Sequence, residues 1–379
     1  MTLTPIERER YSRHLLLPGI GAAGQERLKA ARVLVVGAGG LGSPASLYLA
    51  AAGVGTLAIV DNDRVELSNL QRQLLFDTAS VGVDKALGAQ ARLRALNDQI
   101  QVSAHPVELS AANALTLLRG YDCIIDGSDR LATRYLVNDA CVLLRIPLVS
   151  AAIHRFEGQA MTYLPQQGPC YRCLFPESAA GAALSCAEAG VLGVLPGVLG
   201  ALQATEAIKL LLGIGTPLVG RLMTFDALAM QWREFRFHRR NDCAVCGEAP
   251  TITTPGESAA SCPSVAGGHW QRFKPRELER LLHGAATGRG KAPLLVDVRE
   301  PHEFAAGHLP DSVNIPLANL QRRATELPAD ATVVFVCRSG RRSLAACEVS
   351  SRAGLQAVAD LEGGLIAWAA AIDPSIEVA

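Results

Sequence analysis

The sequence predicts an α/β protein built of two domains, a large doubly wound parallel sheet followed by a smaller α/β domain. Three observations carry this expectation. Residues 32–61 run strand, glycine-rich turn, Ala/Leu helix, strand; two Cys-x-x-Cys pairs sit about seventy residues apart; and a stretch poor in large apolar side chains separates two sets of strand-like runs. The chain has 379 residues, too many for one ordinary core. Apolar residues make up 49%, and 36 basic residues balance 36 acidic ones, which describes a globular enzyme without the basic surface a nucleic-acid partner requires. No nucleic-acid partner is expected.

The first ten residues are polar and charged, and the apolar runs are broken by Gly, Pro or charge short of a membrane span, so no membrane partner and a cytoplasmic location are expected. Ten cysteines are too dilute for a disulfide scaffold in a chain of this length, and four in two pairs point to metal or redox chemistry.

In chain order, Arg32 to Val36 reads as a buried strand, Pro44 to Ala52 as a helix and Thr56 to Asp61 as a second strand, a βαβ unit. Further strand-like runs stand at Ile100–Ala104, Asp122–Asp126 and Pro147–Ala151. Residues 250–268 are rich in Thr, Pro, Gly, Ser and Ala and read as a linker, giving boundaries of 1–249, 250–270 and 271–379. Beyond it, strands at Leu294–Val298 and Val333–Val336 and a helix from about Arg342 form the second domain.

Gly37-Ala38-Gly39-Gly40-Leu41-Gly42 follows a strand and opens a helix, where backbone N–H groups approach a phosphate with no Cβ in the way. Asp61 ends the second strand, the place of an acidic group on a ribose hydroxyl. The glycine pattern alone does not choose between a dinucleotide and ATP. The next segment does: Ser68-Asn69-Leu70-Gln71-Arg72-Gln73, then Lys85, then Asp126-Gly127-Ser128-Asp129. Attack on an α-phosphate needs cations on the transition state, the role of Arg72 and Lys85, and a carboxylate for Mg²⁺, the role of Asp129.

With Tyr11-Ser12-Arg13-His14 and Gly193-Val194-Leu195-Pro196-Gly197, these motifs resemble in order those of the molybdopterin-synthase and thiamine-biosynthesis adenylyltransferases, the bacterial relatives of ubiquitin-activating enzymes. The resemblance covers about residues 5–250. It implies a Rossmann-like domain that uses ATP and Mg²⁺ to adenylate the C-terminal Gly-Gly carboxylate of a small ubiquitin-like sulfur-carrier protein. It also implies a homodimer in which Arg13 acts on phosphates bound by the other subunit. The nucleotide set carried over is Gly37, Gly39, Gly40, Gly42, Asp61, Asp63, Ser68, Asn69, Leu70, Gln71, Arg72, Lys85, Asp129 and Arg130.

Cys170-Tyr171-Arg172-Cys173 and Cys243-Ala244-Val245-Cys246 have the spacing that lets one turn give two thiolates to a tetrahedral ion, and four thiolates leave no open position. A structural Zn²⁺ is expected there, with a redox pair as the alternative.

In the second domain, Asp297-Val298-Arg299-Glu300, Gly307-His308-Leu309-Pro310 and above all Val336-Cys337-Arg338-Ser339-Gly340-Arg341-Arg342-Ser343 resemble the rhodanese family. A cysteine after a strand and before a helix, among loop amides and arginines, is held toward the thiolate. Cys337 is therefore expected to carry sulfur as a persulfide, loaded by a donor such as a cysteine desulfurase. The rival is a phosphatase loop, whose arginine would fall where Ser343 stands.

Cys186 stands before a glycine-rich run, and the adenylyltransferase resemblance implies a loop position near the adenylate for it. It would form a thioester, resolve an acyl disulfide made by Cys337, or do nothing. Cys123, Cys141 and Cys347 read as small core residues, Cys262 as incidental, and His154, His302 and His308 as structural.

Overall fold

The structure, a computed structural model, describes residues 2–176, 190–256, 270–287, 291–323, 326–328 and 331–378. The chain divides into two compact units, 1–264 and 265–379.

Unit one opens with α1 (Pro5–Arg10), α2 (Ser12–Leu15) and α3 (Gly21–Ala30). Thr4 caps α1 through its hydroxyl, and the Glu7 carboxylate reaches back to the Thr4 N–H, the reciprocal pair that satisfies two free donors at a helix start. There follow β1 (Arg32–Val36), α4 (Gly42–Ala51), β2 (Thr56–Val60), α5 (Lys85–Leu96), β3 (Gln101–His105), α6 (Ala114–Leu118), β4 (Cys123–Asp126), α7 (Leu131–Leu144), β5 (Leu148–His154), β6 (Glu157–Tyr163), α8 (Tyr171–Leu174), α9 (Leu195–Leu212), β7 (Arg221–Asp226) and β8 (Gln231–Arg236).

The strands form one eight-stranded sheet in the order β3-β2-β1-β4-β5-β6-β7-β8. From β3 to β5 the pairing is parallel, and β1, β2 and β4 are almost wholly buried because helices cover both faces. From β5 to β8 it is antiparallel, an extension not expected from the sequence. β8 is exposed at all six positions, so its short mixed pattern carries no burial signal to read.

α9 changes one expectation. Its eighteen residues have a mean hydropathy of 1.3, long and apolar enough by composition to cross a membrane. Here it is a core helix, half-buried against α4, β5 and β6. Its buried Glu206 accepts from the Thr162 hydroxyl at 3.0 Å and from Leu218 N–H at 2.7 Å.

Unit two contains β9 (Gln271–Phe273), α10 (Pro275–Ala286), β10 (Leu294–Asp297), α11 (Pro301–Ala306), β11 (Val313–Asn314), α12 (Leu317–Arg323), β12 (Val333–Val336), α13 (Arg341–Arg352), β13 (Val358–Leu361) and α14 (Gly364–Ala371). Its five strands are all parallel, in the order β11-β10-β12-β13-β9. Both ends of the expected linker are engaged: the N–H groups of Thr251 and Ile252 donate to Ala244, and Trp270 packs on the core of unit two.

Candidate active site

The strand order of unit one reverses between β1 and β4, and a cleft opens there at the carboxyl ends of β1, β2 and β4, the switch point where α/β sheets bind ligands. The glycine loop forms its floor. A Cβ on Gly42 would stand 1.8 Å from the Gly37 carbonyl oxygen, so the turn closes only with glycine at that position. Gly39 has nothing closer than 3.9 Å on that side, which leaves its backbone open to a ligand.

Asp61 accepts the N–H groups of Ala38 at 2.8 Å and Asp63 at 2.9 Å, joining the end of β2 to the glycine loop. Burial pushes its carboxyl above the usual range, against the Lys85 charge and these two bonds. Lys85 opens α5, its N–H bonded to the Asp63 carbonyl and its Nζ 2.9 Å from Asp63 Oδ2. Arg72 reaches the cleft from a tight turn and donates to the Ser68 carbonyl at 3.1 Å. Asp129 and Arg130 enter from the end of β4, with Arg130 paired to Glu108 at 3.0 Å.

Of the expected nucleotide residues, Gly37, Gly39, Gly40, Asp61, Asp63, Arg72, Lys85, Asp129 and Arg130 line this one cleft. Gly42, Ser68, Asn69, Leu70 and Gln71 are not in its lining. They build it instead: the Asn69 carbonyl accepts the N–H groups of Arg72 and Gln73, its side chain closes the turn on Glu66, and Leu70 packs on the core. Gly193 explains the distant glycine motif, since a Cβ there would meet Gln71 Oε1 at 2.2 Å and the Gln71 carbonyl at 2.5 Å. Arg13 is exposed on α2 and outside the lining. Its neighbours are anchored: the buried Tyr11 hydroxyl accepts from Asn97 at 2.9 Å, and His14 Nδ1 lies 3.0 Å from Gln25 Oε1.

Several lining residues escaped the sequence reading, among them Asn62, Glu108, Thr133, Arg134 and Gln73. Arg134, buried on α7, donates to the carbonyls of Ala151 at 2.8 Å and Ser128 at 2.7 Å, and so shapes the cleft wall. Gln73, part of a recognised motif but given no role, is buried with Oε1 unpartnered. One helical turn from Arg130 was the sole signal for Arg134.

The four paired cysteines converge. Cys170 and Cys173 Sγ are 4.0 Å apart, Cys170 and Cys243 3.6 Å, Cys173 and Cys246 3.4 Å, and all four lie within 4.8 Å of one another. Tetrahedral zinc with Zn–S bonds of ~2.3 Å requires S···S edges of ~3.8 Å, so the donor set fits that ion. The first knuckle is braced by Arg172, which makes a buried two-pronged bond to Asp139 at 2.7 and 2.8 Å and lies over the Tyr135 ring at 4.6 Å.

In unit two, Cys337 directly follows the central strand β12 and is 1% exposed. Its Sγ accepts the Gly340 N–H at 3.1 Å and is 3.7 Å from the Ser343 hydroxyl. The expected help from nearby arginines is not met by Arg342: its guanidinium is bound to both Glu303 oxygens at 2.6 and 2.7 Å, which absorbs its charge. Arg338 is exposed. Burial raises the Glu303 carboxyl, but its bonds to Arg342 and the Glu300 N–H and the charges of Arg342 and Arg299 outweigh that and hold it below the usual range. Arg299 is fully buried on Asp297 at 2.8 Å. His308 stacks on Phe304 and lies 2.8 Å from its carbonyl, a structural setting. Burial pushes the Cys123 thiol up to about 12 and raises those of Cys141 and Cys347, which keeps all three as inert core thiols. Cys186 and Cys262 lie outside the described residues.

The ThiF family model matches residues 11–245 and a rhodanese-like domain model residues 275–371. The chain is 43% identical to the adenylyltransferase and sulfurtransferase MOCS3 of Anopheles gambiae, over 98% of this chain and 89% of that one. It is 44% identical to the mouse protein of the same name, over 96% and 85%. To a sulfur carrier protein adenylyltransferase of Thermus thermophilus it is 55% identical, over 66% of this chain and 95% of that one. Among solved structures it is similar to Escherichia coli MccB crystallised with ATP, with a TM-score of 0.56 and 25% identity over 64% of this chain and 75% of that one. The chain belongs to the ThiF family, in the branch of adenylyltransferase and sulfurtransferase proteins that carry a rhodanese-like domain after the ThiF domain.

Proposed function

We infer that unit one adenylates the C-terminal Gly-Gly carboxylate of a ubiquitin-like sulfur-carrier protein and that Cys337 supplies the sulfur that replaces its oxygen. The observation that carries this is the single cleft into which the glycine loop, Asp61, Arg72, Lys85 and Asp129 are gathered from five segments. In this reading the carrier carboxylate attacks the α-phosphate of ATP, the α–β phosphoanhydride breaks, and pyrophosphate leaves. Arg72 and Lys85 hold the developing negative charge, Asp129 holds the Mg²⁺, and Asp61 orients the ribose. Arg13, presented on an anchored helix and absent from its own cleft, acts on the cleft of a second subunit in a homodimer.

The terminal sulfur of a Cys337 persulfide then attacks the acyl carbonyl, the acyl–phosphate bond breaks, and AMP leaves. A thiolate attacking the inner sulfur of the acyl persulfide releases the carrier thiocarboxylate and leaves Cys337 in a disulfide, which a cellular dithiol reduces. Cys186 is our choice for that thiolate. A cysteine desulfurase is the persulfide donor, and the four-cysteine centre holds a structural Zn²⁺. A cytoplasmic setting belongs to this reading.

The test is ATP–pyrophosphate exchange with purified protein and a panel of Gly-Gly-ended carriers from the same genome, beside Arg72→Ala and Lys85→Ala. Exchange that needs one carrier and collapses in both variants supports the reading. Absence of exchange with every carrier overturns it, and favours a silent scaffold for ubiquitin-like proteins. A nicotinamide-dependent oxidoreductase would announce itself by an absorbance change at the nicotinamide band.

A further inference from the structure

The Cys337 loop is gripped from behind by the start of α14. Leu365 N–H donates to the Cys337 carbonyl at 2.8 Å and Ile366 N–H to the Arg338 carbonyl at 3.0 Å. The approach is close because glycine faces glycine. A Cβ on Gly364 would stand 2.3 Å from the Cys337 oxygen and 2.7 Å from the Arg338 carbonyl, and one on Gly340 would stand 3.0 Å from the Gly363 nitrogen. These are backbone atoms, which cannot swing aside as a side chain does. Gly363 and Gly364 also sit at φ of 75° and 60°, a region that L side chains enter only with strain.

Peptide planarity turns this grip into an orientation. In a trans peptide the C=O and N–H point in opposite directions. With the carbonyls of Cys337 and Arg338 turned to α14, the N–H groups of Arg338 and Ser339 turn to the far side of the loop. The next amide in the series, that of Gly340, donates to Cys337 Sγ at 3.1 Å.

We propose that the N-terminus of α14 is a positioning device for sulfur transfer: Gly363, Gly364 and the N–H groups of Leu365 and Ile366 hold the Cys337–Ser339 peptides so that successive loop amides face the sulfur. This rests on the reading of Cys337 as the sulfur carrier. The amides do what Arg342 does not, because its charge is committed to Glu303. Fixed N–H dipoles stabilise a thiolate and the terminal anion of a persulfide without binding a dianion as tightly as a free guanidinium would. Gly364 touches no reacting atom and acts through the loop.

The experiment follows the pH profile of Cys337 alkylation by iodoacetamide, read by peptide mass spectrometry on the full chain. Gly364→Ala introduces the backbone clash. Ile366→Pro removes one donor at an exposed position in the first turn of a helix, where proline is tolerated. Gly354→Ala is the control, with φ of 98° but nothing within 4 Å of its Cβ, so it adds strain without contact. The alkylation midpoint is expected to rise by about one pH unit in Gly364→Ala and Ile366→Pro, and thiocarboxylate formation to fall about tenfold, with pyrophosphate exchange unchanged. Gly354→Ala is expected to match the parent. A parental alkylation profile in either folded variant overturns the proposal, and so does an equal shift in the control. Alkylation needs neither carrier nor ATP, so this failure is distinct from that of the sulfur-transfer reading, which would show as no thiocarboxylate from the parent.

Discussion

Lys85 Nζ stands 2.9 Å from Asp63 Oδ2, the lysine side chain 8% exposed and the carboxylate 56%. The pair holds a nearly buried cation at the cleft wall, aimed by a partner that water can solvate when a phosphate takes its place. Lys85→Ala is expected to lower pyrophosphate exchange by about two to three orders of magnitude, the usual loss for one preorganised charge stabiliser. Asp63→Asn leaves the ammonium in place and should cost far less. Equal losses in the two variants would mean that the pair serves structure rather than chemistry.

Arg13 gives a subunit test. Alone, Arg13→Ala and Arg72→Ala should both be inactive in exchange. Random mixing of the two should restore about a quarter of the parental sites, because half the dimers are hybrid and each hybrid has one intact cleft. No recovery after verified subunit exchange would overturn the action of Arg13 across subunits.

The four-cysteine centre should bind one zinc per chain. Cys243→Ser is expected to lower the bound metal and the melting temperature of unit one together, since binding free energy at such a site is folding free energy. Metal analysis and calorimetry of the same sample check this. An unchanged melt in metal-free protein would count against a structural role.

The Glu303–Arg342 pair predicts the acid stability of unit two. Because the folded Glu303 carboxyl lies below its ordinary value of 4.5, its contribution is complete above that value and is lost as pH falls through the lower folded one. Melting followed from pH 7 to pH 3 should therefore show a loss that Glu303→Gln lacks. Glu303→Ala, which removes both carboxylate oxygens from the buried Arg342 guanidinium, should cost about 3–5 kcal/mol.

Cys337→Ala should abolish thiocarboxylate formation from a persulfide donor, read as the mass change of the carrier, and leave pyrophosphate exchange intact. Thiocarboxylate from that variant at the parental rate would remove unit two from the reaction.

Much of this site was visible along the chain because its chemistry is local. A glycine turn between a buried strand and a helix, and a cysteine at a strand end, are each made within a few residues, so their motifs survive in one dimension. Spacing did the same for the two cysteine knuckles. What spacing could not show is which side of a turn a residue occupies: Ser68 to Gln71 share a motif with Arg72 yet build the turn rather than line the cleft. Nor does a motif show where a charge is spent. Arg342 stands in the same short motif as Cys337, and only packing pairs it with Glu303, thirty-nine residues away.

By itself, then, the sequence determined the two α/β domains, the glycine loop, the two cysteine knuckles and the place of Cys337 between a strand and a helix, because each rests on backbone conformation or residue spacing within a short segment. The tertiary structure decided the antiparallel half of the large sheet, the cleft membership of Arg134 and Glu108, the pairing of Lys85 with Asp63, and the grip of α14 on the Cys337 loop. These are contacts between segments far apart in the chain, set by the close packing of buried surfaces and the cost of leaving buried polar groups unsatisfied, and no local pattern encodes them.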